Sequence, residues 1–164
     1  MAPFLLPATT PDPMSPAPPL PTGSGAPDAF DPVSKGWQPV RDTGFIGLVG
    51  PIYRRQHGER WTFAFRAEPK HANLRDVVQG GMLMTFADRA LGRNAWKAAG
   101  DKSVATISFN MEFVSAGDLG EFVEIAPEVV RKTNALVFMR GDLMVGSRVV
   151  ATATGIWKIL GSKG

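Results

Sequence analysis

Residues 73–92 read NLRDVVQGGMLMTFADRALG. A run of helix formers opens on the pair Gly80-Gly81 and holds one acidic residue, Asp88, among Met, Leu, Phe and Ala. The pattern predicts a helix from about Gly81 to Ala99, closed by Gly100. At about 100° per residue, Leu83, Ala87, Ala90, Leu91 and Ala98 fall within about 80° of one direction, and Arg89, Arg93 and Trp96 lie opposite. Asp88 sits at the margin of the buried arc, beside Met84, Ala95 and Gly92. A carboxylate there is partly desolvated and needs donors or a task. The plain alternative is an edge aspartate paired with Arg89 or Arg93.

Outward from the helix the period changes. Upstream, GFIGLVGPIYRRQHG and ERWTFAFRAEP read as two strands joined at His57-Gly58, with Trp61, Phe63 and Phe65 on one side. Residues 70–80 read as a polar loop. Downstream, SVATISFNMEFVSAG places Ile107, Phe109, Met111 and Phe113 on one face, and Thr106, Ser108, Asn110 and Glu112 on the other. GEFVEIAPEVVRKTN, ALVFMRGDLMVGS and RVVATATGIWKIL follow with short breaks, which predicts hairpin neighbours in an antiparallel meander. Two strands, one long helix and four strands make an α+β fold, with the helix covering one face of a curved antiparallel sheet.

The 164-residue chain suits one domain with a tail. Ten of its prolines fall in residues 1–32, so residues 1–35 are expected to form an extended or disordered tail and 36–164 the folded domain. There are no cysteines, which excludes a thiol nucleophile and a disulfide framework. No stretch approaches the roughly 18 apolar residues of a membrane span, and the N-terminus lacks the basic region of a signal peptide. The chain is expected to be soluble and cytoplasmic, with no membrane partner. Net charge is +3, and the basic clusters YRRQHGER and VVRKTN are not interleaved with aromatics as a single-strand groove requires, so no nucleic-acid partner is expected. Either cluster can meet an anionic ligand such as a nucleotide phosphate.

Gly80-Gly81 at a helix start leaves backbone N–H groups bare at the positive end of the dipole, a ready site for an anion or a carbonyl oxygen acquiring charge. The glycines also serve a tight loop-to-helix turn. Gly80 and Asp88 are eight residues apart, about 12 Å along a helix. They cannot both touch one reacting carbonyl from the same chain. If they cooperate, Gly80 of one subunit meets Asp88 of another across a two-fold axis, with two equivalent sites per dimer.

The segments HANLRDVVQGGMLMTFAD (71–88) and VATISFNMEFVSA (104–116) resemble the PaaI-type hotdog-fold acyl-CoA thioesterases of the 4-hydroxybenzoyl-CoA thioesterase superfamily. That pattern has a loop asparagine, a His-Gly-Gly, an acidic residue eight positions after the first glycine, and a Ser or Thr on the following strand. The resemblance runs from about Gly44 to Ile159. It implies a hotdog fold, thioester hydrolysis of an acyl-CoA substrate, no cofactor, and a dimer of hotdogs, commonly assembled as a tetramer. It implies Gly80 as the oxyanion donor, Asp88 as nucleophile or water-activating base, Asn73 to position thioester or water, and Thr106 to hold that water. Gln79 stands where histidine is usual and can brace or donate but not carry a proton. Asp76 stands where glycine is common. The acyl chain is expected along Gly81, Met82, Met84 and Phe86, and the CoA phosphates near Arg131 and Lys132.

Other constellations are poor. His57 is expected in a solvated turn, and His71 in a structural role. Two distant histidines support no metal site. Ser103, Ser108 and Ser115 lie in no nucleophile elbow, and no glycine pattern matches a phosphate loop. Two competitors remain: a non-catalytic hotdog module binding an acyl-CoA or aromatic ligand, and a hotdog dehydratase or hydratase, which needs the loop histidine that Gln79 replaces.

Overall fold

The computed structural model describes residues 30–58 and 60–161. Eight antiparallel strands form one sheet: β1 (Gln38–Pro39), β2 (Ile52–His57), β3 (Arg60–Arg66), β4 (Val104–Phe113), β5 (Phe122–Ile125), β6 (Glu128–Lys132), β7 (Leu136–Val145) and β8 (Arg148–Ile159). Their order is β1-β2-β3-β5-β7-β8-β4, with β6 paired to β7 beside this path. A short helix α1 (Gly44–Val49) precedes β2, and the long helix α2 (Gly80–Ala98) lies between β3 and β4. The sheet closes around α2, giving the expected α+β architecture.

The buried face of α2 is Met82, Leu83, Phe86, Ala87, Ala90, Leu91 and Ala95. It packs into Phe63, Phe65, Val123, Ile125, Val137, Met139, Leu143, Val150 and Trp157 of the sheet. Phe86 meets Phe65 edge-on at 4.8 Å between centroids. Each such fully buried side chain contributes about 1.5–3 kcal/mol, so the helix is held by the sheet rather than by its own propensity. Gly100, at φ 72°, turns the chain out of the helix.

Several expectations are corrected. Residues 44–49 are helical, not strand. Ile46 and Val49 pack on the core while Phe45 and Leu48, at the same spacing of three, stay 63% and 75% exposed. A short apolar run supports either period, and here the helical one buries the right pair. The expected strand 120–134 breaks at Ala126-Pro127 into β5 and β6, because proline offers no N–H to a ladder.

The meander also fails at β4, which pairs with β8 rather than β5. Its connection to β5 crosses the loop before α2, where the Val78 N–H donates to the Gly117 carbonyl at 2.8 Å. β4 therefore ends the strand order, next to the chain's last strand.

A bulge in β4 reverses the expected faces at its start. The register with β8 shifts between Thr106 and Ser108, leaving Ile107 as the extra residue. Ile107 is exposed, and Thr106 turns to the side that Phe109 and Met111 occupy farther along, facing α2.

Phe30, the first described residue, packs on the domain. Its ring lies 4.8 Å from that of Phe122, and Arg66 Nη1 donates to its carbonyl at 2.8 Å. Residues 1–29 of the expected tail lie outside the described residues.

Candidate active site

The loop into α2 is built by its own side chains. Asn73 Oδ1 accepts from the Arg75 N–H at 2.7 Å, and the Asn73 N–H donates to the Val77 carbonyl at 2.8 Å. This folds residues 73–77 into a tight turn in which Asp76 takes φ 57°. The left-handed conformation explains why glycine suits position 76, and Asp is among the residues that tolerate it. Asn73 thus spends its acceptor on the loop.

His71 anchors the same loop. It is 3% exposed, its Nδ1 accepts from the Glu68 N–H at 3.0 Å, and its Nε2 lies 2.7 Å from the Val49 carbonyl. Both contacts are satisfied only by the neutral Nε2–H tautomer. Burial pushes its pKa down from the ordinary 6.5, against the opposing hydrogen bond to Val49. His71 is structural, as its sequence context suggests.

Gln79 caps α2. Its Oε1 accepts from the Met82 N–H at 3.1 Å. A Cβ at Gly81 would stand 2.6 Å from that oxygen, so the folded-back glutamine requires glycine two positions on. Gly80 has a different reason: a Cβ there would lie 3.1 Å from the Phe113 ring. The N–H groups of Gly80 and Gly81 donate to no acceptor among the described residues. They remain available to a ligand oxygen at the positive end of a 19-residue helix. Phe113, at the end of β4, is a neighbour of this site that sequence alone does not reveal.

Asp88 lies two turns farther along α2. Thr106 Oγ1 donates to Asp88 Oδ1 at 2.9 Å. The pair opens on a shallow cleft of about 300 Å³ lined also by Gly92, Arg93, Trp96 and Trp157. Gly92 matters here, since a Cβ would stand 3.0 Å from Trp157 Nε1. Among the described residues Asp88 makes no ion pair. Arg89 is taken by Asp42 at 2.6 Å, and the Arg93 guanidinium stacks 3.9 Å from the centre of the Trp96 ring. The edge salt bridge that would have explained Asp88 away does not form.

A second groove, about 380 Å³, opens at the start of α2 between Gln79, Gly81, Met82 and Thr85 on one side and Phe45 and Val49 on the other. It shares no lining residue with the Asp88 cleft. Within one chain the glycine end and the carboxylate therefore open on separate surfaces.

The remaining candidates divide. Met84 is exposed, while Phe86 is wholly enclosed against Phe65 and belongs to the core rather than to a ligand wall. Arg131 and Lys132 lie on the exposed strand β6 and line neither cleft. Among the described residues no cluster of His, Cys, Asp or Glu is fit to hold a metal, and no helix is long and apolar enough to cross a membrane.

Residues 76–152 match the model of the thioesterase superfamily. The Pseudomonas aeruginosa protein called "Putative esterase PA0474" is 29% identical over 130 residues, covering 77% of this chain and 97% of its own. Among solved structures, zebra fish thioesterase superfamily member 2 superposes with a TM-score of 0.67 at 18% identity, over 73% of this chain and 88% of that one. A point mutant of the phenylacetic acid degradation protein PaaI from Thermus thermophilus gives 0.63 at 20% identity, over 71% and 98%. A hypothetical thioesterase protein from Streptococcus pneumoniae, solved with coenzyme A, gives 0.62 at 18%, over 69% and 91%. The expected hotdog fold holds, and a segment within it matches the thioesterase superfamily.

Proposed function

From a hotdog fold whose residues 76–152 match the thioesterase superfamily, we propose that this chain is an acyl-CoA thioester hydrolase that releases a carboxylic acid and free CoA. The observation that carries the reading is the Asp88 carboxylate held by Thr106 at 2.9 Å in an open cleft, with no ion pair to neutralise it among the described residues. Such a carboxylate is free to take a proton from water. The bare N–H groups at Gly80 and Gly81 supply what the reaction also needs, donors aimed at a developing oxyanion. Coenzyme A bound to a neighbour of the same fold supports the choice of thiol.

In this scheme Asp88 of one subunit takes a proton from a water held by Thr106. The water oxygen attacks the thioester carbonyl, whose electron pair moves to the oxygen and is received by Gly80 N–H of the other subunit. Collapse breaks the C–S bond and expels the CoA thiolate, which takes up the proton. Direct attack by Asp88, through a mixed anhydride that water then opens, uses the same residues. The spacing of about 12 Å between Gly80 and Asp88 on one helix supports pairing across a dimer. Gly81, Met82 and Met84 flank the acyl group, Asn73 shapes the loop beside it, and Arg131 and Lys132 offer charge for the CoA phosphates. The reading includes a PaaI-type cytoplasmic assembly, a dimer of hotdogs paired into a tetramer.

Gln79 favours one rival, a binding module without turnover, because an amide moves no proton. As the cap of α2, however, it performs a structural task that needs none. Asp88→Asn, assayed by thiol release over short, medium, long and aryl acyl-CoAs, separates the two. Hydrolysis by the unaltered chain that is lost in the variant, at an unchanged melting temperature, is the expected result. Equal turnover in both removes Asp88 from the mechanism, and binding without any turnover selects the rival.

A further inference from the structure

The short helix α1 is tethered at both of its ends, to Arg89 of α2 and to the Lys70-His71 turn that leads into α2. Ahead of it, Asp42 pairs with Arg89 through two nitrogen–oxygen contacts of 2.6 and 3.3 Å. Behind it, the Val49 carbonyl accepts from His71 at 2.7 Å, and the Gly50 carbonyl accepts from Lys70 Nζ. Along α2, Gly81, Thr85 and Arg89 recur at a spacing of four and so share one face. From Gly81 to Arg89 that stripe runs about 12 Å, and a helix of six residues spans about 9 Å. α1 therefore walls this face from the glycine end almost to Asp88. Between the two helices lies the groove of about 380 Å³, lined by Phe45, Val49, Met82 and Thr85 and ending at Gly81 and Gln79.

Resting on the hydrolase reading above, we propose that α1 sets acyl specificity, with Phe45 and Val49 as the specificity-determining residues, and that the substrate carries a compact acyl group no larger than an aromatic ring. The groove's volume stands near the lower end of the roughly 300–1,000 Å³ range of small-molecule sites. Its wall toward α1 is apolar, and its inner end meets Gly81, whose N–H donates to no acceptor among the described residues. A carbonyl directed at that end of α2 places the acyl substituent against Val49 and Met82, with Phe45 at the mouth. The tethers keep α1 from swinging away to admit a long chain.

The test compares benzoyl-CoA and decanoyl-CoA with the unaltered chain, Phe45→Ala and Val49→Phe. The unaltered chain is expected to prefer benzoyl-CoA by at least about tenfold in kcat/KM, the discrimination a hydrophobic pocket commonly supplies. Phe45→Ala, at an exposed position, should raise the decanoyl-to-benzoyl ratio about tenfold. Val49→Phe, which fills the groove, should lower kcat/KM for benzoyl-CoA about tenfold relative to acetyl-CoA, measured alongside. Ratios unchanged within about twofold in both variants overturn the assignment. The same ratios read as affinities, by calorimetry with non-hydrolysable thioether analogues, decide the matter independently of turnover. Absence of hydrolysis alone therefore counts against the hydrolase reading, and unchanged affinity ratios count against α1.

Discussion

Thr106 Oγ1 donates to Asp88 Oδ1 at 2.9 Å, joining the outermost strand of the sheet path to the long helix. The bond exists because the bulge at Ile107 turns Thr106 toward α2. It leaves the second carboxylate oxygen without a partner among the described residues.

A hydrogen bond to a charged group is worth about 1.5–3 kcal/mol. Thr106→Val should therefore lower kcat by about tenfold to a hundredfold in a protein that still folds, and Thr106→Ser should retain most of the rate. Thiol-release kinetics on the three proteins check this. A valine variant with full kcat would show that the hydroxyl is dispensable.

Gln79 and Gly81 are coupled by space. Gly81→Ala puts a methyl 2.6 Å from Gln79 Oε1 and so displaces the cap, which costs about 1 kcal/mol. Once Gln79→Ala has removed that cap, the alanine meets no obstacle and its helix propensity contributes up to about 1 kcal/mol. The Gly81→Ala change should thus be neutral or destabilising alone and stabilising in the Gln79→Ala background. Urea denaturation of all four proteins in the cycle measures the sign change, and simple additivity would mean the two side chains do not compete.

Asp76 holds φ 57° in the exposed turn before α2. Asp76→Val should destabilise by about 1–2 kcal/mol, because a β-branched side chain fits that region worst. Asp76→Gly should be at least as stable as the parent, the relief of strain outweighing its entropy cost by a few tenths of a kcal/mol. Thermal melts ranking valine as the equal of glycine would argue that the turn opens in solution.

His71 is neutral and buried, with its pKa held below the ordinary 6.5 chiefly by desolvation. The folded state therefore binds this proton less readily than the unfolded state. Stability from His71 is fully present above pH 6.5 and is lost progressively as pH falls below it toward the lowered folded value. Protonation also removes the acceptor at Nδ1 that the Glu68 N–H needs. The melting temperature of the parent should drop below about pH 6.5, while His71→Asn, less stable at neutral pH, should show a flatter profile. Parallel profiles would assign the acid loss to other groups.

Several parts of the molecule are legible in the sequence because their signals are local. The period of α2, the alternation in β3 and the later strands, and the glycine pair at the helix start are all written within a few residues. The distance between Gly80 and Asp88 follows from helix geometry alone. The 44–49 run misleads because six apolar-rich residues fit either period, and only contact with the core selects one. Phe86 misleads for a related reason: apolar spacing marks a buried face without saying whether protein or ligand covers it.

The sequence by itself determined the α+β class, the hotdog resemblance, and the separation of the glycine end from the carboxylate, since periodicity and rise per residue are short-range properties. The tertiary structure decided the pairing of β4 with β8, the turning of Thr106 toward Asp88, the ring of Phe113 over Gly80, and the seating of α1 beside the first turns of α2. Each of these joins residues far apart in the chain. Their register depends on which surfaces bury best together, and no local pattern carries that information.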